Sequence, residues 1–190
     1  MATVSRTAVV NGIQVDNIGK MVGGVKSNPA SAQATFYATT NWKSGFNNEA
    51  EVSNFKIGGA MLKHAKTFKI EGDHPKELLG TDRGPSSVEV LLAALGHCIA
   101  SGWAIYGASM GIQIENLKIE VEGDIDLQGM LGLPEPGKVQ PGFQKIRVTH
   151  TVKSKAPKDK LEQIMHMAED LSPTRYSLRA VDYSSKLVIQ

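Results

Sequence analysis

The feature that most constrains the fold is a long apolar segment between residues 86 and 110. It opens with the order Ser86-Ser87-Val88-Glu89, the form of a helix capping box, in which serine and glutamate satisfy free backbone N–H groups. Behind the box, apolar and small residues run almost unbroken from Val90 to Tyr106, and Gly111 is suited to end a helix. A helix that is apolar on nearly all sides is typical of a protein interior, so the segment predicts a buried central helix.

The residues before this helix predict one short helix and three strands. Asp16 is suited to cap the short helix, whose apolar residues recur at helical spacing until Asn28-Pro29 closes the segment. Residues 34–42 are rich in β-forming side chains and predict the first strand. A second strand is predicted from residue 47 to residue 57, and a third surrounds Phe68.

After the central helix the apolar period changes to two and then becomes helical again. Alternating apolar and charged residues predict strands over residues 117–122 and 143–153. A helix is predicted after Pro157, and it ends at Ser172-Pro173 because a proline disfavours helical geometry at the residue before it. A last strand is predicted over residues 181–189. The predicted order is therefore helix, three strands, helix, two strands, helix and strand, and we expect an α+β protein.

Composition and charge narrow the classes of function. The 190 residues suit one domain, and 21 basic against 19 acidic residues, with no basic block, give no reason to expect nucleic acid. We expect no membrane span, since no uninterrupted apolar run reaches about 18 residues. The first residues lack the order of a secretory signal, and a single cysteine cannot form an internal disulfide. These features predict a cytoplasmic protein.

The residues that lead into and through the central helix carry a resemblance. The stretch Gly84-Pro85-Ser86-Ser87-Val88-Glu89-Val90-Leu91-Leu92-Ala93-Ala94-Leu95-Gly96-His97-Cys98 resembles the cysteine-helix motif of the OsmC/Ohr family, the osmotically inducible and organic-hydroperoxide-resistance proteins. Residues 80–84 resemble the loop before that helix, and residues 172–178 fall where the family carries a Cys-Pro or Ser-Pro motif. The likeness begins near Ala34. Residues 1–33 therefore look like an N-terminal helical extension of a longer subgroup, within a single domain over 1–190.

The resemblance implies a fold and an activity. It implies antiparallel-rich sheets wrapped around central helices in an intertwined homodimer, with active sites at the subunit interface. In such proteins a cysteine thiolate attacks a small organic peroxide and becomes a sulfenic acid. A second cysteine then condenses with the sulfenic acid to form a disulfide, which an external thiol reductant reduces. We expect no cofactor and no metal, and the histidines other than His97 show no metal-ligand spacing.

Matching the motifs residue by residue gives one cysteine where the family has two. Cys98 matches the peroxide-attacking cysteine, whose chemistry requires a thiolate with a lowered pKa. Ser172 matches the second cysteine, and a hydroxyl cannot form a disulfide. The two-cysteine cycle is therefore excluded. A one-cysteine cycle is left, in which an external thiol or else a peptide nitrogen reacts with the sulfenic acid.

The family's activating pair, an arginine and a glutamate, is also altered. The position ten residues before the cysteine, where the glutamate is expected, is Val88, with Glu89 beside it. The arginine lies in the first strand turn of those enzymes, where this chain offers only Lys43, which lacks the planar fork of an arginine. Arg83 and Arg175 are alternative cations, because each adjoins a motif that should approach the helix. The candidate catalytic residues are thus Cys98, Glu89, Lys43, Arg83 and Arg175.

Three functions are compatible with these residues. The leading one is thiol-dependent reduction of organic hydroperoxides through Cys98. The alternative is a non-catalytic dimer that binds an apolar small molecule at its interface. An acyl-transfer enzyme ranks last, because no base or oxyanion motif supports it. His97 is a poor base for Cys98, since adjacent helical positions point about 100° apart.

Overall fold

In the computed structural model, residues 8–133, 135 and 138–178 are described. The chain divides into two compact units, which we call the sheet unit (residues 14–91) and the helix unit (residues up to 13 and from 92 onward). A short hairpin of strands β1 (Val9–Val10) and β2 (Ile13–Gln14) precedes the sheet unit. The single domain over 1–190 and the extension over 1–33 stay predictions.

The sheet unit begins with helix α1 (Val15–Ser27), followed by a short 3-10 turn at Pro29–Ala32. The helix lies where the sequence predicts it, but the prediction that Asp16 caps it is wrong. Gln14 occupies the cap position, without a side-chain hydrogen bond, and Asp16 lies inside the first turn. There its carboxylate interacts favourably with the positive end of the helix dipole and pairs with Lys20 at 3.0 Å.

The sheet contains four antiparallel strands: β3 (Ala34–Phe36), β4 (Thr39–Ser44), β5 (Asn47–Ile57) and β6 (Ala60–Gly72). Strand β5 lies where it is predicted and pairs with β6 along one edge. The single strand predicted over 34–42 is wrong, because β3 and β4 are separate and pair with opposite ends of β5. Gly58 and Gly59 make the turn before β6 with φ of 55° and 88°, which the tight hairpin requires.

The loop after β6 folds around the buried carboxylate of Asp73, which accepts hydrogen bonds from the Thr81 hydroxyl and from backbone N–H groups of three loop residues. It ends at the predicted capping box. The backbone N–H and the hydroxyl of Ser86 donate to Glu89 Oε2 at 2.7 and 2.6 Å, and helix α2 (Ser87–Ser109) starts at the next residue. The box is confirmed.

Helix α2 carries the core of the helix unit along one stripe. Leu95, Ile99 and Trp103, spaced four residues apart, are at most 2% exposed and pack on Ile164 and Ala168. Burial on nearly all sides is therefore wrong for the single chain, in which the small residues of the other faces stay partly exposed. Gly111, with φ of 70°, ends the helix region as predicted.

By length and composition alone, α2 could also cross a membrane, which corrects the expectation that no segment reaches that length. The same test is passed by the core helix of a soluble protein. The stripe that carries Trp103 packs in the core of the helix unit.

The rest of the helix unit consists of β7 (Asn116–Asp124), α3 (Leu127–Leu131), β8 (Lys145–Lys153), α4 (Lys158–Asp170) and α5 (Pro173–Ser177). Both strands confirm the predicted period of two and pair antiparallel, so their apolar faces pack against the core stripe. The proline break after α4 is also confirmed. Helices α3 and α5 were not predicted, and the strand predicted over 181–189 lies outside the described residues.

Candidate active site around Cys98

Cys98 lies in the middle of α2, beside the buried stripe, and is half-buried. Its side chain opens on a cavity of about 360 Å³. The cavity is lined, besides Cys98, by Ile13, Ser101, Gly102, Ile105, Tyr106, Ala168, Leu171, Ser172 and Pro173. Since no Asp, Glu, Lys or Arg is among these residues, the cavity suits an apolar group.

Ser172 contacts the sulfur directly. Its hydroxyl donates to Cys98 Sγ at 3.0 Å and accepts the backbone N–H of Arg175 at 3.1 Å. Ser172 is only 3% exposed, and as the cap of α5 it is held in place by the short helix that it starts. The two residues that the family motifs single out, 74 positions apart, are therefore neighbours in the fold.

Two opposing effects set the pKa of Cys98. Burial raises it, but the hydroxyl of Ser172, the backbone N–H of Thr174 and the hydroxyl of Thr174 all donate to the sulfur, and together they lower the pKa below the ordinary cysteine value. The sequence reasoning missed Thr174. The sequence signal for Thr174 is the Ser172-Pro173 pair before it. A serine cap followed by proline starts a helix, and backbone N–H groups in the first turn of a helix are free to bind other acceptors.

Arg175 belongs to the same unit as Cys98, but its guanidinium is paired elsewhere. One terminal nitrogen lies 2.7 Å from Asp170 Oδ1, and the other lies 3.9 Å from Glu169 Oε2. The contact of Arg175 with the Cys98 site runs through its backbone N–H to Ser172. A direct role of this guanidinium in holding the thiolate stays a prediction.

The other three candidates lie in the sheet unit, each with a local partner. Lys43 Nζ is 3.2 Å from Glu49 Oε2. Arg83 is exposed, and its backbone N–H donates to Asp73 in the loop before α2. The hydroxyl of Ser86, and then its backbone N–H, hold the pKa of Glu89 low. These contacts give each residue a structural role, and their catalytic roles stay predictions.

Tyr106 is a further cavity residue that the sequence reasoning did not single out. It follows Cys98 by eight positions, and its side chain also packs against the core of the helix unit. Burial raises the pKa of Tyr106, and the negative charge of Cys98 raises it further. The signal in the sequence was the spacing Cys98, Gly102, Tyr106, which places all three on one face of the helix.

Within the described residues, no three His, Cys, Asp or Glu side chains are grouped in a way that could hold a metal ion. The side chain of His150 is buried and has a structural role, because it joins Trp103 of α2 to Glu169 of α4. Its Nδ1 accepts from Trp103 Nε1 at 2.9 Å, so its Nε2 carries the proton and donates to Glu169 at 2.9 Å.

The sequence matches the family model of OsmC-like protein over residues 80–185, which is more than half of the chain. The chain belongs to the OsmC-like family. The matched residues include the cysteine helix α2 and the Ser172 motif. The sequence has no significant match among curated proteins.

Solved structures of OsmC-like proteins share the fold. An OsmC-like protein of Mycoplasma pneumoniae superposes with a TM-score of 0.59 at 17% identity, covering 77% of this chain and 89% of that one. An OsmC-like protein of Vibrio cholerae gives 0.54 at 16% identity, covering 76% and 94%. The organic hydroperoxide resistance protein OsmC of Legionella pneumophila gives 0.52 at 18% identity, covering 77% and 92%. The predicted α+β, OsmC-like fold with antiparallel sheets is confirmed.

Proposed function

We propose that the protein is a thiol-dependent reductase of organic hydroperoxides, in which Cys98 is the attacking residue. The observation that carries the proposal is the environment of the sulfur, which combines three hydrogen-bond donors with an apolar cavity. Donors stabilise a thiolate, which is the nucleophile that peroxide chemistry needs. The Legionella pneumophila structure, described as an organic hydroperoxide resistance protein, points to the same substrate class.

The first half of the reaction oxidises the cysteine. The Cys98 thiolate attacks the terminal oxygen of the hydroperoxide, so that a sulfur–oxygen bond forms as the oxygen–oxygen bond breaks. The cysteine becomes a sulfenic acid, and the other oxygen leaves as an alkoxide that takes up one proton to become the alcohol. The apolar lining of the cavity, including Ile105 and Leu171, favours an organic hydroperoxide over hydrogen peroxide.

The second half needs a reductant from outside the chain. Ser172 stands where the family has its second cysteine, and the chain has no other cysteine. A first external thiol condenses with the sulfenic acid, forming a mixed disulfide and releasing water. A second thiol then displaces Cys98 and leaves as an oxidised disulfide with the first.

We further propose a cytoplasmic, intertwined homodimer. The exposed aromatic side chains of the sheet unit support an association between copies, since Phe36 and Trp42 are 75% and 73% exposed in the single chain. Large apolar side chains exposed together on one unit are typical of an interaction surface. A single cysteine agrees with a reducing compartment.

The rival proposal is a non-catalytic OsmC-like dimer that binds an apolar small molecule. The lack of charged side chains among the described residues that line the cavity favours it, as does the pairing of the Arg175 guanidinium with carboxylates. The two proposals predict different pKa values for the Cys98 thiol. A measured pKa of Cys98 near the ordinary value of about 8.5 supports the rival, and a clearly lower value supports the reductase.

The experiment that tests the reductase measures consumption of cumene hydroperoxide with dithiothreitol as reductant. We expect consumption by the wild type and none above background by Cys98→Ser, which keeps the size of the side chain and removes the nucleophile. One equivalent of hydroperoxide without reductant should add one oxygen atom at Cys98, trapped with dimedone and located by mass spectrometry. Equal consumption by the Cys98→Ser variant contradicts the proposal.

A further inference from the structure

The proposed reaction needs a proton donor that the thiolate contacts do not supply. The alkoxide that leaves when the oxygen–oxygen bond breaks is a strong base. The donors on Cys98 Sγ are the groups of Ser172 and Thr174, which are directed at the sulfur and stabilise its charge. A separate group is needed on the other side of the bound hydroperoxide.

Helix geometry places Tyr106 for this task. Cys98, Gly102 and Tyr106 follow one another at spacings of four on α2, so they share a face. Eight residues rise about 12 Å, and helical side chains lean toward the N-terminus, so the tyrosine leans back toward the cysteine. Gly102, between the two, packs closely against Ala168 of α4, and Cys98, Gly102 and Tyr106 all line the same cavity.

The state of the hydroxyl fits a donor. Burial and the charge of Cys98 raise the pKa of Tyr106, which keeps the phenol protonated when the thiolate is present. Among residues 8–133, 135 and 138–178 no hydrogen bond engages the Tyr106 hydroxyl, whereas the Ser101 hydroxyl, on the same cavity, already donates to the carbonyl of His97 at 2.9 Å. The Tyr106 proton is therefore available to a bound molecule.

We propose that the Tyr106 hydroxyl is the catalytic proton donor to the alkoxide released from the hydroperoxide. The inference rests on the proposed function of Cys98. As the Cys98 sulfur takes the terminal oxygen with its hydrogen, the Tyr106 O–H bond breaks and its proton passes to the departing oxygen. The products are the sulfenic acid, the alcohol and a tyrosinate, which water reprotonates. The transfer runs downhill, because an alkoxide is far more basic than a tyrosinate, whose acid has an ordinary pKa of about 10.

The test compares Tyr106→Phe with the wild type on three reagents that all consume the Cys98 thiolate. Cumene hydroperoxide releases a strongly basic alkoxide, peracetic acid releases weakly basic acetate, and iodoacetamide releases iodide, which needs no proton. A general acid contributes roughly 100-fold or more to a step that needs it. We therefore expect Tyr106→Phe to slow the reaction with cumene hydroperoxide by about 100-fold. The rates with peracetic acid and iodoacetamide should change little.

The control is Tyr37→Phe, the same chemical change on an exposed strand-linking residue of the sheet unit, which should leave all three rates unchanged. An equal loss with all three reagents in Tyr106→Phe, or no loss with cumene hydroperoxide, overturns the role of Tyr106. Failure of the proposed function looks different, because then wild-type protein would be alkylated by iodoacetamide yet would not react with cumene hydroperoxide.

Discussion

Replacing Ser172 by alanine isolates one of the contacts that set the reactivity of Cys98. The substitution removes the hydroxyl that donates to Cys98 Sγ at 3.0 Å and leaves both donors of Thr174 in place. It also removes the acceptor of the Arg175 backbone N–H at the start of α5. The first change acts on the charge of the sulfur, and the second acts on the stability of the short helix.

The size of each effect follows from the hydrogen bond that the substitution removes. A hydrogen bond to a charged group contributes about 1.5–3 kcal/mol, and one pKa unit corresponds to about 1.4 kcal/mol. Because the Ser172 hydroxyl stabilises the charged form of Cys98, its removal should raise the thiol pKa by about one to two units. Removal of the cap should lower the free energy of unfolding by about 1 kcal/mol.

The pKa of Cys98 can be measured from the rate of alkylation by iodoacetamide as a function of pH, since only the thiolate reacts. For Ser172→Ala the midpoint of the profile should move to higher pH, and alkylation at pH values below the wild-type midpoint should slow by about tenfold or more. Ser177→Ala is the matched control, because the Ser177 hydroxyl lies on the same short helix and donates to the carbonyl of Pro173 instead.

The measurement can refute the reasoning in two ways. If the midpoint for Ser172→Ala stays at the wild-type pH or moves lower, the hydroxyl does not stabilise the thiolate. If Ser177→Ala moves the midpoint as far as Ser172→Ala does, the shift reports disturbance of α5 rather than removal of the hydrogen bond to the sulfur.

Two further substitutions test other parts of the site. Ser172→Cys should restore a cysteine pair, because the replaced hydroxyl is 3.0 Å from Cys98 Sγ. Treatment with hydroperoxide should then produce an intrachain disulfide, which mass spectrometry detects. A sulfenic acid that dimedone still traps in this variant would contradict the prediction. Gly102→Ala should lower the free energy of unfolding by about 1–3 kcal/mol, since its new Cβ would lie 2.9 Å from the backbone of α4. Gly96→Ala, on the same helix with its nearest contact at 3.6 Å, should instead be neutral or slightly stabilising in denaturant unfolding.

Much of the fold could be predicted from the sequence because the relevant signals are local. The capping box of Ser86 and Glu89 joins residues three positions apart, and strand β5 is bounded by turns that the sequence marks. The errors have two different origins. Asp16 has the right chemistry for a cap, but the helix starts one residue before it, and the strand over 34–42 is divided because its two parts pair with different ends of β5.

The burial of α2 shows where composition misleads. Its residues are apolar on nearly all sides and predict a buried helix, whereas the single chain buries the stripe of Leu95, Ile99 and Trp103. Composition reports how much apolar surface a helix has, and it does not report which neighbour covers each face. That depends on the packing of α4 and the β7–β8 pair, which residue order alone does not specify.

The candidate position of an attacking cysteine and the lack of a second cysteine could be predicted from motifs alone, because both are matters of residue identity at Cys98 and Ser172. Only the tertiary structure decided what surrounds the sulfur. It brought Ser172, 74 positions away, and the neighbouring Thr174 into hydrogen-bonding contact with Cys98, and it paired the Arg175 guanidinium with carboxylates instead. The physical reason is that a pKa depends on the donors within a few ångströms of the atom, and those donors come from segments that meet only when the chain is folded.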